Sequence, residues 1–318
     1  MTPRQLKYFV TIARCGSLTT AAAQLHVAQP ALSQHVTGLE SALGVPLFDR
    51  HARGVTLTPE GQRLLERATS ILRQLDSLQN DVLDTHGALN GTVSVCLVES
   101  LAAVLTIPLY RQLQHVAPGI SLQLCTAISR EARALVEARK VDLAILPVAF
   151  ELPRLEVLPL FEERFHVIGS TSWLGTSHEP LRLKEVAELP LAAPDRDHDQ
   201  RKLIERAALS QNCTLNVRYE LNSPSLLHQV VRGGLACTIF ARSSFAEQQG
   251  VELSMRKLIE PSIERTQSLV WMAERPLTPA SETVRDLLTQ LISQLITDGS
   301  LQARDLLSPS AHPAPPAR

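Results

Sequence analysis

The spacing of apolar residues predicts three short helices near the start of the chain, over about 2–14, 18–26 and 29–43. Ser17 precedes the second helix and is a good N-cap, since its hydroxyl can accept a bond from a free N–H group. In the third helix the larger apolar residues fall on one face: Leu32, Val36, Leu39 and Leu43. This helix should therefore bury one side and expose the other.

The outward side of the third predicted helix is polar and carries Gln29, Ser33 and Gln34. Two short helices joined by a tight turn, the second with such a face, are typical of a helix-turn-helix, whose second helix enters the major groove of DNA. Glutamine can pair with adenine edges, and serine can bind a base or a phosphate. Pro30 lies in the first turn, where its missing N–H costs little. On spacing alone, an ordinary three-helix domain with a solvated polar face is the alternative.

The segment after Gly44 predicts a β-hairpin wing. A turn at 53–54 precedes a short alternating strand at 55–57. Arg50 and Arg53 would lie near the tip of this wing, where they can reach phosphate groups or a minor groove. The sequence therefore predicts a winged helix-turn-helix over 1–58.

A long helix is predicted over 59–86, with Thr58 as its cap and Pro59 at its first position. Its apolar residues follow a heptad spacing: Leu64, Ala68, Ile71, Leu75, Leu78 and Val82. Such a seam predicts pairing with a second helix, and hence a dimer. The alternative is a helix packed on its own domain. Glycine and asparagine at 87–91 predict a hinge.

From residue 92 onward, strands and helices alternate, which predicts an α/β fold with a parallel sheet covered by helices. The predicted strands are 93–98, 121–126, 141–146, 155–160, 164–170, 190–193, 217–221, 236–240 and 268–273. The predicted helices are 101–116, 130–140, 200–209, 226–232 and 283–296. The Pro-rich segment 298–318 has no apolar period, so we expect it to be disordered.

Charge and cysteine content narrow the class of protein. Residues 1–57 carry five basic side chains and two carboxylates, while the whole chain has a net charge of -1, so the positive charge is concentrated at one end. The five cysteines are scattered without CxxC spacing, which argues against a disulfide framework or zinc ribbon and suits a reducing cytoplasm. The first residues lack the apolar segment of a signal peptide, and no apolar run is long enough for a membrane span.

Enzyme and metal chemistry find little support in the sequence. The chain has no GxSxG, HExxH or P-loop motif and no evident pair of nucleophile and base. Asp195, Asp197, His198 and Asp199 are candidate metal ligands, but four polar residues on a loop are more often solvated. We therefore expect no enzymatic activity, no cofactor and no metal. A solute-binding protein, the other class that the C-terminal pattern suggests, would not carry a helix-turn-helix.

Residues 6–61, from LKYFVTIARCGSLTTAAAQL to VTLTPEG, closely resemble the LysR-type transcriptional regulators. The resemblance implies a winged helix-turn-helix that binds an interrupted palindrome in double-stranded DNA. It implies DNA contacts by Gln29, Pro30, Ser33, Gln34 and Arg53. Two positions depart from the family pattern. Ala28 replaces a common serine, which should cost about 1 kcal/mol of helix stability. Gln34 replaces a common arginine, which changes the preferred bases and the salt dependence.

Residues 91–297 resemble the LysR effector domain, which is similar to periplasmic binding proteins, most clearly in KVDLAIL (140–146) and VVRGGLACTIF (230–240). The resemblance implies subdomain I at about 92–162 and 268–297 and subdomain II at about 163–267. Ser100 and Ser129 align with positions that the family uses for its effector, and Ser223 is a further candidate. Each serine could instead be a simple N-cap. Glu99 beside Ser100 weakens an anion site there.

Together these features predict a cytoplasmic transcriptional regulator that forms a dimer or tetramer. Its expected partners are DNA, a small-molecule effector such as an organic anion, and RNA polymerase, without a membrane. The segments LKYFVTI, GSLT and AQPALSQ resemble the nitrogen-assimilation-control regulators within the family. That resemblance leaves an alternative open, a regulator that binds DNA without an effector and is controlled by its own expression level.

Overall fold

The computed structural model describes residues 1–51, 54–83, 89–148, 152–245, 253–274 and 276–308. The chain divides into two compact units, Met1–Gly91 and Thr92–Arg318. Within the described ranges, no helix combines the length and the apolar composition needed to cross a membrane.

The N-terminal unit consists of three helices, a two-stranded wing and one long helix, as the sequence predicts. Its elements are α1 (Pro3–Cys15), α2 (Leu18–Leu25), α3 (Gln29–Leu43), β1 (Phe48–His51), β2 (Gly54–Leu57) and α4 (Pro59–Leu83). Helix α1 starts at a capping box between Thr2 and Gln5, and Ser17 caps α2 through a bond from the Thr20 amide. Fully buried Phe9, Ile12, Leu32 and Leu39 form the centre of its core.

Helix α4 packs on its own unit over its first half, as the alternative to heptad pairing describes. Ala68 is completely buried in the core of the unit, and Leu64 packs against the same core. These two seam positions therefore contact the core of their own unit. Ile71 is 40% exposed and remains open to a partner. Leu78 and Val82 belong to the side chains that the structure does not describe, and most of the predicted hinge at 87–91 lies outside the described residues.

The C-terminal unit alternates strands and helices along the chain. Its strands are β3 (Gly91–Leu97), β4 (Ile120–Thr126), β5 (Leu143–Pro147), β6 (Leu155–Ser170), β7 (Leu181–Arg182), β8 (Leu191–Ala193), β9 (Val217–Glu220), β10 (Thr238–Ala241), β11 (Leu253–Ile259), β12 (Glu264–Met272) and β13 (Arg304–Asp305). Its helices are α5 (Glu99–Val116), α6 (Ser129–Glu137), α7 (Thr171–Leu174), α8 (Leu183–Ala187), α9 (Asp199–Ser210), α10 (Pro224–Arg232) and α11 (Pro279–Thr297), with a 3-10 turn at Arg242–Phe245.

The strands form a mixed sheet rather than a purely parallel one. One half has the order β4-β3-β5-β12-β6, with β3 parallel to β5 and β12 antiparallel to both of its neighbours. In the other half β10 and β11 pair antiparallel with β6, and β7 extends the sheet beyond β11. Strands β8 and β9 form a parallel pair, and a bridge between Leu191 and Cys237 connects β8 to the segment before β10.

Strand β6 is shared by both halves of the sheet. Its 16 residues include the two strands predicted separately at 155–160 and 164–170. From Leu155 to Arg164 it pairs with β12, and from Phe165 onward it pairs with β10 and β11. The chain therefore passes from one half to the other without leaving the sheet.

The segment after α11 is ordered up to residue 308, so the disorder predicted for 298–318 is wrong for its first part. Leu301 is only 1% exposed, and β13 pairs with β6 at Arg304 and Glu162. Burial of a leucine and pairing with an available strand edge order this part of the chain, although the residues beyond it are Pro-rich. Residues 309–318 lie outside the described ranges.

The chain returns to the first half of the sheet at Glu264, a few residues before the predicted subdomain limit at 268. All of β12, from Glu264, pairs with the first half of β6 or with β5. The first half of the sheet therefore includes β12 from Glu264 and also β13.

A buried ionic network lies where β6 passes from one half to the other, beside the start of β12. Glu163 is 1% exposed, and its Oε1 accepts bonds from Arg265 Nε at 2.7 Å and Gln267 Nε2 at 2.8 Å. Ser243 in the 3-10 turn donates to Oε2 at 3.4 Å. The Arg265 guanidinium also lies over the ring of Phe165, 5.2 Å from its centroid. A carboxylate this deeply buried depends on its bonded cation.

We predict that Arg265→Met lowers the free energy of unfolding of the C-terminal unit by about 3–5 kcal/mol, because Glu163 would be left buried without its cation. Urea denaturation of the full chain, followed by tryptophan fluorescence, measures this loss, since both tryptophans, Trp173 and Trp271, lie in this unit.

The matched control is Arg164→Met, at the residue next to Glu163 on β6. Arg164 pairs with Glu264 at 2.6 Å, but its side chain is 73% exposed, so its removal should cost less than about 1 kcal/mol. Equal losses of stability in the two variants would contradict the assignment of a structural role to the buried pair.

Candidate DNA-binding surface and effector cavity

Helix α3 presents a polar surface while its leucines hold it in the core. Gln29, Pro30 and Gln34 are exposed, and Ser33 is half-buried. On the opposite side Leu32 is fully buried, in agreement with the sequence pattern. The structure therefore places the predicted contact residues of α3 in one exposed patch at the start of the helix.

The wing adds a cation to this patch. Arg50 on β1 is exposed, and its Nη2 donates to Ser33 Oγ at 3.3 Å. The two predicted contact residues, 17 positions apart in sequence, are therefore brought together. Arg53, the other predicted wing contact, lies outside the described residues. We call Gln29, Pro30, Ser33, Gln34 and Arg50 the recognition surface.

Backbone contacts fix the wing to the helical body. The Val55 amide donates to the Gly16 carbonyl at 2.9 Å. Gly54 has a φ of 143°, and a Cβ added there would lie 2.3 Å from the Gly16 oxygen, so only glycine fits this approach. Thr58 caps α4 by accepting from the Gly61 amide and also donates to the Pro46 carbonyl.

Glu40 is a structural residue of the recognition helix that the sequence reasoning missed. Its Oε1 accepts from the Leu47 amide at 2.8 Å and from the Phe48 amide at 3.3 Å. A carboxylate on a DNA-binding helix is thus used to position the start of the wing. Helical spacing does not reveal this contact, because it joins Glu40 to a loop seven residues away.

A cavity of about 230 Å³ lies within the C-terminal unit between its two halves. One wall comes from the start of α6 and the end of β5, and the other from the start of α9. The lining side chains are Ser129, Arg130, Arg133, Leu146, Pro147, Val148, Leu152, Asp197, Asp199 and Lys202. The volume is below the roughly 300–1,000 Å³ typical of drug-sized ligands, so this space suits a small molecule.

Of the three serines singled out from the sequence, Ser129 lies in the lining of this cavity. It is the first residue of α6 and is 8% exposed. The N-cap of α6 is Ile128, so Ser129 is not a simple N-cap. Ser100 is likewise inside α5, whose N-cap is Val98. Neither Ser100 nor Ser223 is among the residues described as lining the cavity.

Ser223 occupies the N-cap position of α10 without making the capping bond. Its hydroxyl lies 3.0 Å from Ser225 Oγ instead. Ser223 is therefore the N-cap residue of α10, as the alternative interpretation expected, but its side chain does not cap the helix by a hydrogen bond.

The charged lining of the cavity was not predicted. Arg133 Nε donates to Glu137 Oε1 at 2.8 Å, and Lys202 Nζ donates to the Asp197 carbonyl at 2.8 Å. Arg130 is exposed at the start of α6, where the helix dipole also favours an anion. Arg130 and Arg133, three residues apart at the start of a helix, could have indicated an anion site from the sequence. Lys202 lies on α9 in the other half of the unit, and no sequence pattern connects it to them.

The loop considered for metal binding serves mainly to start α9. Asp195 Oδ1 accepts from the amides of Asp197 and His198, and His198 Nδ1 accepts from the Gln200 amide at 3.2 Å as the N-cap. Asp197 and Asp199 face the cavity. In this structure these residues build a turn and a cap.

A winged helix-turn-helix with an exposed polar recognition helix, followed by a two-halved α/β unit with a small cavity, defines a ligand-responsive DNA-binding transcriptional regulator. Residues 3–62 match the bacterial regulatory helix-turn-helix of the LysR family, and residues 86–293 match the LysR substrate binding domain. The chain belongs to the LysR family of regulators, as the resemblance implied.

Individual relatives support the same assignment. The chain is 31% identical to the nitrogen assimilation regulatory protein Nac of Klebsiella aerogenes over 309 residues, which covers 96% of this chain and 99% of that protein. It is 30% identical to Nac of Escherichia coli strain K12, over 93% of this chain and 96% of that protein. The predicted likeness to nitrogen-assimilation-control regulators is confirmed.

Solved structures show the same fold. A full-length OxyR variant from Pseudomonas aeruginosa superposes with a TM-score of 0.69 at 24% identity, covering 97% of this chain and 99% of that one. Full-length CbnR in complex with its target DNA gives 0.70 at 19% identity, covering 92% and 100%. Because a substrate binding domain is part of the match, a regulator without an effector is not favoured.

Three histidines of the C-terminal unit have lowered pKa values. Burial is the main cause of the lowered pKa at His166, His198 and His228. At His198 the positive charge of Arg265 lowers the pKa further, while Asp199 opposes the effect. The folded unit therefore binds fewer protons at these sites than the unfolded chain does.

We predict that the C-terminal unit loses stability as the pH falls through about 6.5, the ordinary histidine pKa. Above that pH these histidines are neutral in both the folded and the unfolded chain, so the stability is fully present. Below it the unfolded chain binds protons first, and the folded state loses stability relative to it. Urea midpoints between pH 7.5 and 5.5 should fall, and less steeply in His198→Asn, which keeps a capping side chain.

The control for this prediction is His178→Asn, since His178 is exposed in the same unit. It should leave the slope of stability against pH unchanged. A slope that is the same in His198→Asn and in the parent would contradict the assignment of part of the effect to His198.

Proposed function

We propose that this regulator binds an interrupted palindromic DNA site through the recognition surface, with Arg53 as an additional contact from the wing tip. The observation that carries the proposal is the hydrogen bond from Arg50 to Ser33. Through this bond the wing brings a positive charge to the helix face that exposes the glutamine side chains of α3. One α-helix fits the major groove, so Gln29 and Gln34 would meet base edges while Arg50 meets phosphate. Such a regulator would act on DNA in the cytoplasm.

The uncapped start of α3 supports a phosphate contact. Ala28 is the N-cap and supplies no side-chain bond to the helix. Backbone N–H groups at a helix start favour anions, and a phosphate oxygen can accept from them. The alanine that replaces the common family serine therefore weakens the free helix but leaves these donors to the DNA.

We also propose a dimer or tetramer, assembled in part through α4. Ile71 is exposed and Leu75 is half-buried on the described part of this helix. Two recognition helices in one dimer would bind half-sites about 34 Å apart, or a multiple of that distance.

We predict that Gln34→Ala lowers discrimination at one base pair of each half-site by about 1–3 kcal/mol, since alanine cannot make the bidentate bond of an amide to a base. Arg50→Ala should weaken binding to all sequences. It should also reduce the slope of log affinity against log salt by about one unit for each phosphate that the arginine neutralises. Gel shifts on sites selected by the parent protein from a random library measure both effects.

Gln123→Ala is the control, because Gln123 is an exposed glutamine of the C-terminal unit. It should leave affinity and base preference unchanged. Unaltered binding by a variant with both Gln29 and Arg53 changed to alanine, with its helix content intact, would contradict the proposed surface.

For the effector we propose a small organic anion in the cavity between the halves. Ser129 offers a hydroxyl at the start of α6, and Arg130, Arg133 and Lys202 supply positive charge. Asp197 and Asp199 on the opposite wall would accept from a donor group on the same ligand. The mixture of signs favours a small ligand with both a carboxylate and a hydrogen-bond donor.

We predict that at least one member of a panel of two- to six-carbon mono- and dicarboxylates raises the Tm of the full chain. A ligand at a hundred times its Kd stabilises by about 2.7 kcal/mol, which corresponds to several degrees for a unit of this size. Ser129→Ala should abolish most of the shift. Ser223→Ala, outside the described cavity lining, is the control and should keep it. A shift that disappears in the control but persists in Ser129→Ala would contradict the site.

A further inference from the structure

Two cysteines lie side by side on the first two strands of the C-terminal sheet. Strands β3 and β4 are neighbours, and the Ala127 amide donates to the Leu97 carbonyl at 3.2 Å where both strands end. The strands are therefore parallel. The same pattern occurs between β3 and β5, where the Val98 amide donates to the Ile145 carbonyl and Leu97 pairs with Ile145. By this register, Thr126 lies opposite Leu97.

Cys125 consequently lies directly opposite Cys96. Paired residues on adjacent parallel strands point to the same face of the sheet, with their Cα atoms about 4.8 Å apart. A disulfide needs a Cα separation of about 4.4–6.8 Å, so the two sulfurs can be joined without moving the backbone far. The pairing depends only on strand order and register.

The two thiols differ in environment. Cys96 is fully buried, whereas Cys125 is the exposed one of the five cysteines. Burial, together with the charge and hydrogen bonding of the neighbouring Cys125, raises the pKa of Cys96 to about 12. Cys96 therefore stays a thiol at neutral pH, and Cys125 is the sulfur that meets a dissolved oxidant first.

We propose that Cys96 and Cys125 form a reversible disulfide when the protein meets a hydroperoxide. Cys125 sulfur takes one oxygen from hydrogen peroxide as the O–O bond breaks, and the displaced hydroxide leaves with the Cys125 proton as water. Cys96 sulfur then displaces hydroxide from that sulfenic acid, and the hydroxide leaves with the Cys96 proton as a second water. Two thiols and one peroxide give one disulfide and two waters.

The disulfide would act on the part of the sheet next to the cavity. Strand β4 stands at one end of the strand order, so on the described residues it is held on one side by β3 alone. Helix α6 begins with Ser129 shortly after β4 ends, and Glu131 in its first turn is close enough to influence Cys96. Oxidation would link β4 covalently to β3, shortly before the chain enters the helix that lines the cavity.

The test treats the reduced full-length chain with a small excess of hydrogen peroxide, removes the peroxide, and then alkylates the remaining thiols in denaturant, because Cys96 and Cys237 are buried in the folded chain. We expect the number of alkylated cysteines to fall from five to three, with digestion giving a peptide pair linked through Cys96 and Cys125. Dithiothreitol should restore all five. Hydrogen exchange of residues 120–126 should slow on oxidation.

Two variants make the result specific. Cys125→Ser should abolish both the linked peptide and the slower exchange, whereas Cys213→Ser, which alters a half-buried cysteine elsewhere in the unit, should keep both. Five alkylated thiols after peroxide treatment of the parent would overturn the proposal. Oxidation of Cys125 to sulfinic acid without a link, or a link between other cysteines, would overturn it equally.

Discussion

The backbone pairing of β6 is the constraint on which the C-terminal unit depends. This strand pairs with β12 over its first part and with β10 and β11 over its last, so its hydrogen bonds hold both halves of the sheet. Its second part packs tightly: a Cβ on Gly169 would lie 2.5 Å from Cys237 Sγ. The cavity lies between these halves, with α6 on one side and α9 on the other.

The buried network around Glu163 acts at that same passage. Its residues come from β6, β12 and the 3-10 turn after β10, so one carboxylate joins elements of both halves. Buried ion pairs add little net stability compared with apolar packing, but breaking one is costly. The network therefore favours the one alignment of β6, β12 and the 3-10 turn in which all partners of Glu163 are in place. The positive charge of Arg265 also lowers the pKa of His198, the N-cap residue of α9. The buried network is therefore coupled electrostatically to the helix that forms one wall of the cavity.

Much of the fold was predictable because helix and strand periods are local. Ser17 as a cap, the wing and the strand-helix alternation follow from spacing within a few residues. The continuity of β6 was not predictable, since Pro159 and the charged Glu162–Arg164 interrupt its apolar pattern. The strand at 304–305 depends on a partner far away in sequence. Ser129 could be identified locally, from its place at the start of a helix. Lys202, Glu40 and the pairing of Cys96 with Cys125 could not, because each depends on a partner that only the tertiary structure brings close.

The small cavity sets a quantitative limit on regulation. A ligand shifts an equilibrium between two arrangements only by the difference between its affinities for them, and a change from 1:99 to 99:1 needs about 5.5 kcal/mol of difference. Ligands of a few atoms gain at most about 1.5 kcal/mol per heavy atom. The contacts of about four heavy atoms, formed in one arrangement only, would therefore be needed to supply this difference. A cavity walled by α6 from one half and α9 from the other meets this requirement, because any change in their separation breaks contacts on one side.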